Sequence, residues 1–294
     1  MKIVRAAVVQ SGPIAFDLDR TLEKTASLIG QAAAGADLVV FPEAFISAYP
    51  KGIDFGTVVG GRSAEGRIWF RKYFESAIDV PGPAVDALGA MARANNIHLV
   101  IGVIERAIGT LYCTALFFSP GGVMMAKHRK VMPTAMERII WGCGDGSTLP
   151  VLDTPIGRIG AVICWENYMP LLRMHMYSKG IQLYCAPTVD DRDVWQHTMH
   201  HIALEGRCFV LSACQYIERG GFPAGYPAAS PLIRGGSVII NPLGKKLAGP
   251  LYGEEGILRA DLNLDEIAEG KFDLDVTGHY ARPDIFRLHV NEEA

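Results

Sequence analysis

Short apolar runs of strand length alternate with longer amphipathic segments, and this alternation limits the possible fold more than any other feature of the chain. Apolar runs bounded by Gly or Pro are typical of buried strands, whereas apolar residues three and four positions apart indicate helices. The predicted strands are 3–9, 37–41, 97–104, 111–119, 123–127, 151–153, 158–163, 181–185, 208–214, 236–241 and 257–262. The predicted helices are 17–34, 62–77, 83–95, 169–178 and 194–206, and a polar tail is expected after residue 262.

Two turns in this pattern predict antiparallel hairpins. Pro120-Gly121-Gly122 separates one pair of predicted strands, and Thr154-Pro155-Ile156-Gly157 separates another. Strands and helices that alternate, with hairpins among them, are typical of an α/β protein with a mixed sheet. No internal repeat or linker interrupts the sequence, so we expect one domain over residues 1–294, with a short C-terminal tail.

Charge and apolar content exclude several classes of partner. The net charge is −3 and the basic residues form only one short cluster, whereas nucleic-acid binding normally requires a wide basic stripe. No segment approaches the ~18 consecutive apolar residues of a membrane span. The first nine residues predict a strand rather than a signal peptide. We therefore expect no nucleic acid and no membrane among the partners.

The six cysteines contain no C-x-x-C pair, which favours reduced cysteines in a cytoplasmic enzyme over a disulfide framework or a zinc site. His197, His200 and His201 lie on a predicted helix but do not form an H-E-x-x-H motif. They are interpreted as packing or interface histidines, and no metal is expected.

Three chemically active side chains follow three predicted strands. Glu43 comes after Pro42, Lys130 ends a basic run, and Cys164 follows an apolar strand and precedes a polar turn. Ligands of α/β proteins gather at the carboxyl ends of strands, so these residues can converge as base, cation and nucleophile. Each has an ordinary alternative when taken singly: a solvated loop acid, a surface charge and a buried structural cysteine.

The chain resembles the nitrilase branch of the carbon–nitrogen hydrolase superfamily from residue 3 to about residue 288. The matching blocks, in order, are VVFPEAFISAYPKG, FGTVVGGRSAEGR, KHRKVMPTAMERIIWGCGDGS, GAVICWENYMPLLR, HHIALEGRCFVLSACQ, GGSVIINPLGK and KFDLDVTGHYARPD. The resemblance implies that Glu43, Lys130 and Cys164 form the catalytic set, and that Glu137 positions the lysine or the substrate. It also implies a substrate pocket around five residues: Trp165, Tyr168, Met169, Thr188 and Trp195.

The resemblance further implies a four-layer αββα sandwich, formed by pairing halves across subunits, in a homodimer or larger homo-oligomer. The implied reaction is hydrolysis of a small organic nitrile to a carboxylic acid and ammonia through a cysteine thioimidate and thioester, without a cofactor. An amidase or carbamoylase of the same superfamily is the first alternative, although Trp165-Glu166 after the cysteine favours a nitrilase over the C-x-D pattern of amidases. A non-catalytic binding protein on this fold is the second alternative.

Overall fold

Two seven-stranded mixed sheets face each other in the computed structural model, which describes residues 2–228 and 232–293. The strands are β1 (Ile3–Gln10), β2 (Leu38–Val40), β3 (Thr57–Val58), β4 (Gly61–Arg62), β5 (Ile78–Asp79), β6 (His98–Ala107), β7 (Thr110–Phe118), β8 (Met124–Arg129), β9 (Val151–Thr154), β10 (Gly157–Ala161), β11 (Leu183–Cys185), β12 (Phe209–Ser212), β13 (Tyr216–Ile217), β14 (Ile233–Ile240), β15 (Lys246–Tyr252) and β16 (Gly256–Asn263). The helices are α1 (Leu18–Ala32), α2 (Ala64–Ser76), α3 (Pro83–Asn95), α4 (Pro170–Ser178), α5 (Asp193–Gly206) and α6 (Asp265–Asp273). Short 3₁₀ helices cover Ala135–Ile139, Gly146–Thr148 and Cys164–Tyr168.

Each sheet has a parallel centre and antiparallel edges. The first has the order β16-β1-β2-β6-β7-β8, with β5 also paired to β6, and β1, β2 and β6 are parallel. The second has the order β13-β14-β12-β11-β10-β9, with β15 paired to β14, and β10, β11 and β12 are parallel. Because β8 is antiparallel to β7, and β7 to β6, strands β2 and β8 end at the same edge of the first sheet.

Neighbouring residues of a strand point to opposite faces, and this alternation separates three hydrophobic cores. In β1, Ala6 and Val8 join the core between the two sheets, whereas Ala7 and Val9 join the core beneath α1 and α3. A third core packs α4 and α5 on the outer face of the second sheet, where Trp195 is fully buried. The order of layers is therefore helices, sheet, sheet, helices.

The αββα sandwich is confirmed, but the expectation that two halves pair across subunits to build it is wrong. All four layers lie within one chain, and the core between the sheets contains side chains from both of them. Helix α1 shows how an outer helical layer is packed against a sheet of the same chain. Its buried residues Thr21, Thr25, Ile29 and Ala32 form a stripe along one side, and its N-terminus is capped by Asp17.

The polar tail expected after residue 262 is also wrong over Asp265–Asp273, which forms α6. Only Ile267 and Gly270 of this helix are buried, so its sequence has little of the apolar periodicity that predicts a helix. Strand β15 was not predicted at all. Among residues 2–228 and 232–293, no helix has both the length and the apolar character needed to cross a membrane.

Candidate active site

Glu43, Lys130 and Cys164 follow β2, β8 and β10, and the structure brings them together where the ends of strands from both sheets meet. The chain turns sharply at Glu43, against β6. The Gly102 amide donates to the carbonyl of Pro42, and a Cβ at Gly102 would lie 2.3 Å from that oxygen. Glycine at this position therefore permits the close approach that buries Glu43.

Lys130 is completely buried and bonds to two carboxylates at once. Its Nζ lies 2.7 Å from Oε1 of Glu43 and 2.8 Å from Oε2 of Glu137. Glu137 also accepts hydrogen bonds from the hydroxyl of Tyr49 and from the amide of Thr134. The other carboxylate oxygen of Glu43, Oε2, is buried and has no hydrogen-bond partner within the described structure. An unpartnered carboxylate oxygen is available to accept a proton.

Cys164 occupies a strained backbone position at the start of a 3₁₀ helix. Its φ of 49° lies in the left-handed region, which is uncommon for a residue other than glycine. Its amide donates to the carbonyl of Pro187, and the hydroxyl of Thr188 donates to Sγ over 3.2 Å. Strain of this kind is concentrated at functional sites, which is consistent with a nucleophile held in one fixed position.

The pKa of each of the three groups is raised, by burial for Glu43 and Cys164 and by neighbouring charges for Lys130. Burial raises the pKa of Glu43, and the ammonium of Lys130 only partly opposes it. Burial and the carboxylate of Glu43 raise the pKa of the Cys164 thiol far above its ordinary value, so the resting thiol is protonated and needs a base. Burial alone would lower the pKa of Lys130, but Glu43, Cys164 and Glu137 raise it well above its ordinary value and keep it charged.

A buried pair, His128 and Glu166, joins the cysteine loop to the lysine strand, and the sequence did not reveal it. One carboxylate oxygen of Glu166 accepts from the amide of Ile163 and lies 2.9 Å from Nε2 of His128. The other oxygen accepts from the amide of Val131, next to Lys130. Glu166 thereby fixes the position of Cys164 relative to Lys130. Isoleucine has no side-chain acceptor, so residues 163–166 lack the capping-box pattern and nothing local indicates Glu166 or its partner histidine.

Two other supporting residues were also not predicted. Asn167 is buried, and its amide donates to the carbonyls of Val162 and Cys164. Gln215 donates to the carbonyls of Glu43 and Ala44, 2.6 and 3.0 Å away, from the strand-end region of the second sheet. These bonds satisfy backbone groups on both sides of the site and hold the two loops in place.

The His128–Glu166 pair should make stability depend on pH. Burial would lower the pKa of His128, but Glu166 outweighs it and raises the pKa above its ordinary 6.5. A raised pKa means that the pair stabilises the fold fully below pH 6.5, and that this stabilisation is lost as the pH rises through the folded-state value. Between pH 6 and pH 9 the wild type should lose unfolding free energy. We expect this loss to be smaller in His128→Gln, as measured by urea denaturation at each pH. An unchanged pH dependence in the variant would contradict this, with exposed His279→Gln as the control.

A cavity of about 220 Å³ lies over Cys164. Its charged lining residues are Lys51, Glu137, Asp190, Asp191 and Arg192, and its other lining residues are Tyr49, Thr134, Cys164, Trp165 and Val189. The indole of Trp165 donates to Asp190, and the guanidinium of Arg192 pairs with Asp190 and lies over the Trp165 ring. These contacts hold Trp165 rigidly at one wall.

The five residues predicted to surround the substrate have different positions. Trp165 lines the cavity, and Thr188 contacts the sulfur of Cys164. Tyr168 lies outside the cavity lining, with its ring edge-on to Trp165 and Trp195. Met169 and Trp195 pack in the outer core of the second sheet, where the Trp195 indole donates to Ser212.

In residues 2–228 and 232–293, no group of three or more His, Cys, Asp or Glu side chains is arranged to hold a metal ion. The predicted helix that carries His197, His200 and His201 is α5. His200 bonds to the carbonyl of Gln196, and His201 lies 3.4 Å from Glu205 on the same helix.

Comparison with known proteins identifies the family of the chain. The family model described as "Carbon-nitrogen hydrolase" matches residues 5–272. A nitrilase of Bradyrhizobium diazoefficiens is 60% identical over 98% of this chain and 92% of its own length. A bifunctional nitrilase/nitrile hydratase of Nicotiana tabacum is 58% identical over 99% of this chain and 87% of its own. Saccharomyces cerevisiae Nit3, of the nitrilase superfamily, shares the fold with a TM-score of 0.75 at 24% identity, over 96% and 97% of the two chains. The chain therefore belongs to the carbon–nitrogen hydrolase family and, within it, to the nitrilases.

Proposed function

We propose that this nitrilase converts a small organic nitrile and two water molecules into a carboxylic acid and ammonia, with Cys164 as the nucleophile. The observation that carries the proposal is the buried ammonium of Lys130, bonded to Glu43 and Glu137 beside the cysteine. A thiol, a base and a fixed cation in one closed site are the groups that covalent hydrolysis of a carbon–nitrogen bond requires. Glu137 has the role of positioning Lys130.

In the first step, Oε2 of Glu43 takes the thiol proton and Sγ of Cys164 attacks the nitrile carbon. A carbon–sulfur bond forms, one π bond of the nitrile breaks, and Glu43 passes the thiol proton to the nitrogen, which gives a thioimidate and restores the carboxylate. Negative charge builds on nitrogen during the attack, and the ammonium of Lys130 stabilises it. The raised pKa of Glu43 suits this role, because a more basic carboxylate takes the thiol proton more readily.

In the second step, water adds to the thioimidate carbon with Glu43 as general base. The tetrahedral intermediate expels ammonia after protonation of its nitrogen and leaves a thioester. A second water then attacks the thioester, which releases the acid and returns the proton to Cys164. If the tetrahedral intermediate expels the thiol instead of ammonia, the product is the amide.

We further infer that residues 1–294 form one catalytic unit and that it acts in the cytoplasm as a homodimer or larger homo-oligomer. The six cysteines are free, which supports a reducing compartment. Large apolar side chains are exposed at Leu171, Phe272 and Phe286, which supports contact with another copy. Analytical ultracentrifugation of the purified protein tests the oligomer.

The activity is tested by ammonia release from aliphatic, aromatic and arylacetonitriles, with the matching amides alongside. Acid and ammonia from nitriles support the proposal. Turnover of amides alone would instead indicate an amidase, the first alternative. No release from any compound would contradict both and favour a binding protein on this fold.

The pH dependence of kcat/KM should follow the protonation of the Glu43 carboxylate. Only the carboxylate form of Glu43 can accept the thiol proton, and burial raises the pKa of Glu43 above its ordinary 4.5. We therefore expect the acid limb of kcat/KM to lie above pH 4.5, measured from initial rates of ammonia release between pH 4 and pH 10. An acid limb at or below pH 4.5 would contradict the assignment of Glu43 as the base.

A further inference from the structure

Charged side chains make up half of the residues that line the cavity over Cys164. These five are Lys51, Glu137, Asp190, Asp191 and Arg192, and Val189 is the one aliphatic residue among the ten. The volume of this cavity is about 220 Å³. A longer apolar substituent would lie against charged groups there, and apolar ligands bind poorly to such a lining.

A second cavity, of about 330 Å³, borders the first, and six of its eleven lining residues are apolar. The two share Tyr49, Lys51 and Glu137, so these residues lie at the boundary between them. The apolar residues that line the second cavity are Pro50, Ile53, Phe55, Met136, Ile139 and Ile140. We call it the apolar side cavity.

The boundary between the two cavities has one fixed part and one adaptable part. The Tyr49 hydroxyl is bonded to Glu137, which fixes these two side chains. Lys51 is half-buried and makes no ion pair within residues 2–228 and 232–293. The aliphatic stem of a lysine can cover apolar surface while its ammonium reaches water. A substrate chain can therefore cross the boundary along Lys51.

Apolar side chains at the mouth of the side cavity remain exposed. Met136 is 55% exposed and Ile139 is 42% exposed. A further cavity continues past Phe55, Ile139 and Ile140 towards Phe70 of α2. Exposed apolar surface of this kind is typical of a binding site, and the side cavity adjoins the cavity over Cys164.

We propose that the apolar side cavity binds the extended alkyl or arylalkyl tail of the nitrile and so determines which nitriles are preferred. This inference rests on the proposed nitrile hydrolysis at Cys164. The occupant is the substrate's own tail, because the side cavity adjoins the catalytic cavity across three shared residues and supplies six apolar lining residues. Its specificity-determining residues are Ile53, Met136 and Ile139.

The test compares kcat/KM for propionitrile, phenylacetonitrile, 3-phenylpropionitrile and 4-phenylbutyronitrile. Each methylene that enters the side cavity should raise kcat/KM about fourfold, which corresponds to ~0.8 kcal/mol per buried CH₂. Met136→Gln and Ile139→Asn should lower kcat/KM for 3-phenylpropionitrile roughly threefold or more through KM, and should leave propionitrile unchanged. Because Met136 and Ile139 lie close to Glu137 in the chain, Ile53→Asn, in a different segment of the lining, is the second, independent variant. Ile68→Asn is the matched control, since Ile68 is 49% exposed and lines neither cavity.

The outcomes distinguish failure of the apolar side cavity as a tail-binding site from failure of the proposed nitrile hydrolysis. Selective loss of the long nitriles in the wall variants, but not in Ile68→Asn, supports the inference. Equal loss for short and long nitriles would assign a purely structural role to these residues and overturn it. Turnover of nitriles with no dependence on tail length or on these residues would also overturn it, and would favour another copy of the chain as the cover of this surface. If no nitrile is turned over, the proposed function fails as well.

Discussion

Replacement of Cys164 by alanine should lower kcat/KM for nitrile hydrolysis on the order of 10⁴-fold or more, because no covalent intermediate can form without the sulfur. The fold should survive the change. Alanine meets the same left-handed backbone requirement as cysteine at this position, where φ is 49°, and only one buried sulfur atom is lost. We expect the unfolding free energy to fall by about 1 kcal/mol, a common cost of one small buried change.

The measurements are initial rates of ammonia release and urea denaturation, with Cys143→Ala as the control for loss of an exposed thiol. Intact-protein mass spectrometry during turnover should detect an acyl or imidoyl adduct on the wild type and none on Cys164→Ala. An alanine variant that keeps a tenth of the activity would assign the chemistry to another group. If Cys164→Ala loses both activity and fold, the adduct measurement on the wild type becomes the test. Absence of an adduct on the wild type would then reject the covalent route.

Replacement of Lys130 by methionine should lower both kcat and the free energy of unfolding. The ammonium is fully buried between Glu43 and Glu137, whose side chains are 0% and 8% exposed. Without the cation, two carboxylates remain buried beside each other, and breaking a buried pair in this way costs about 3–5 kcal/mol. Loss of the fixed charge opposite the developing negative charge should lower kcat about 10²–10³-fold or more.

A second substitution separates the two effects. The double variant Lys130→Met/Glu137→Gln lacks one of the two carboxylates that Lys130→Met leaves buried without a cation. Its unfolding free energy should therefore be higher than that of Lys130→Met, whereas its activity should stay as low. Lys127→Met is the control on the same strand, because its partner Glu105 keeps a second cation, Arg129. If the unfolding free energy of Lys130→Met were within ~1 kcal/mol of the wild-type value, Glu43, Lys130 and Glu137 would not be the electrostatic centre of the site.

The regular elements could be predicted where apolar periodicity is strong and not where it is weak. The predicted helix 83–95 corresponds to α3 (Pro83–Asn95), where a proline begins the helix and Asn96 ends it in the left-handed conformation. Strand β15 was missed because Gly249 and Pro250 lie inside it, and such residues normally argue against a strand. Its register against β14 is irregular there, which is how the sheet accommodates them.

The candidate site could be predicted in part, because the strand ends that carry Glu43, Lys130 and Cys164 are visible as local patterns. The sequence does not reveal that these strands belong to two different sheets, since face-to-face packing of sheets leaves no local signal. The same limit applies to His128 and Glu166, which lie 38 positions apart and meet only after the sheets have packed. The catalytic roles of the predicted residues stay a proposal until the substitutions are made.

The burial of Lys130 has a practical consequence for attaching the enzyme to solid supports. Amine-reactive resins couple to accessible lysines such as Lys72, Lys245 and Lys246. The Lys130 ammonium is out of contact with solvent and is held by two carboxylates, so such a reagent has neither access nor a free amine to attack. Lys51, half-buried at the entrance of the cavity, is the lysine through which coupling would obstruct turnover. Lys51→Arg should therefore give an immobilised catalyst whose entrance stays open.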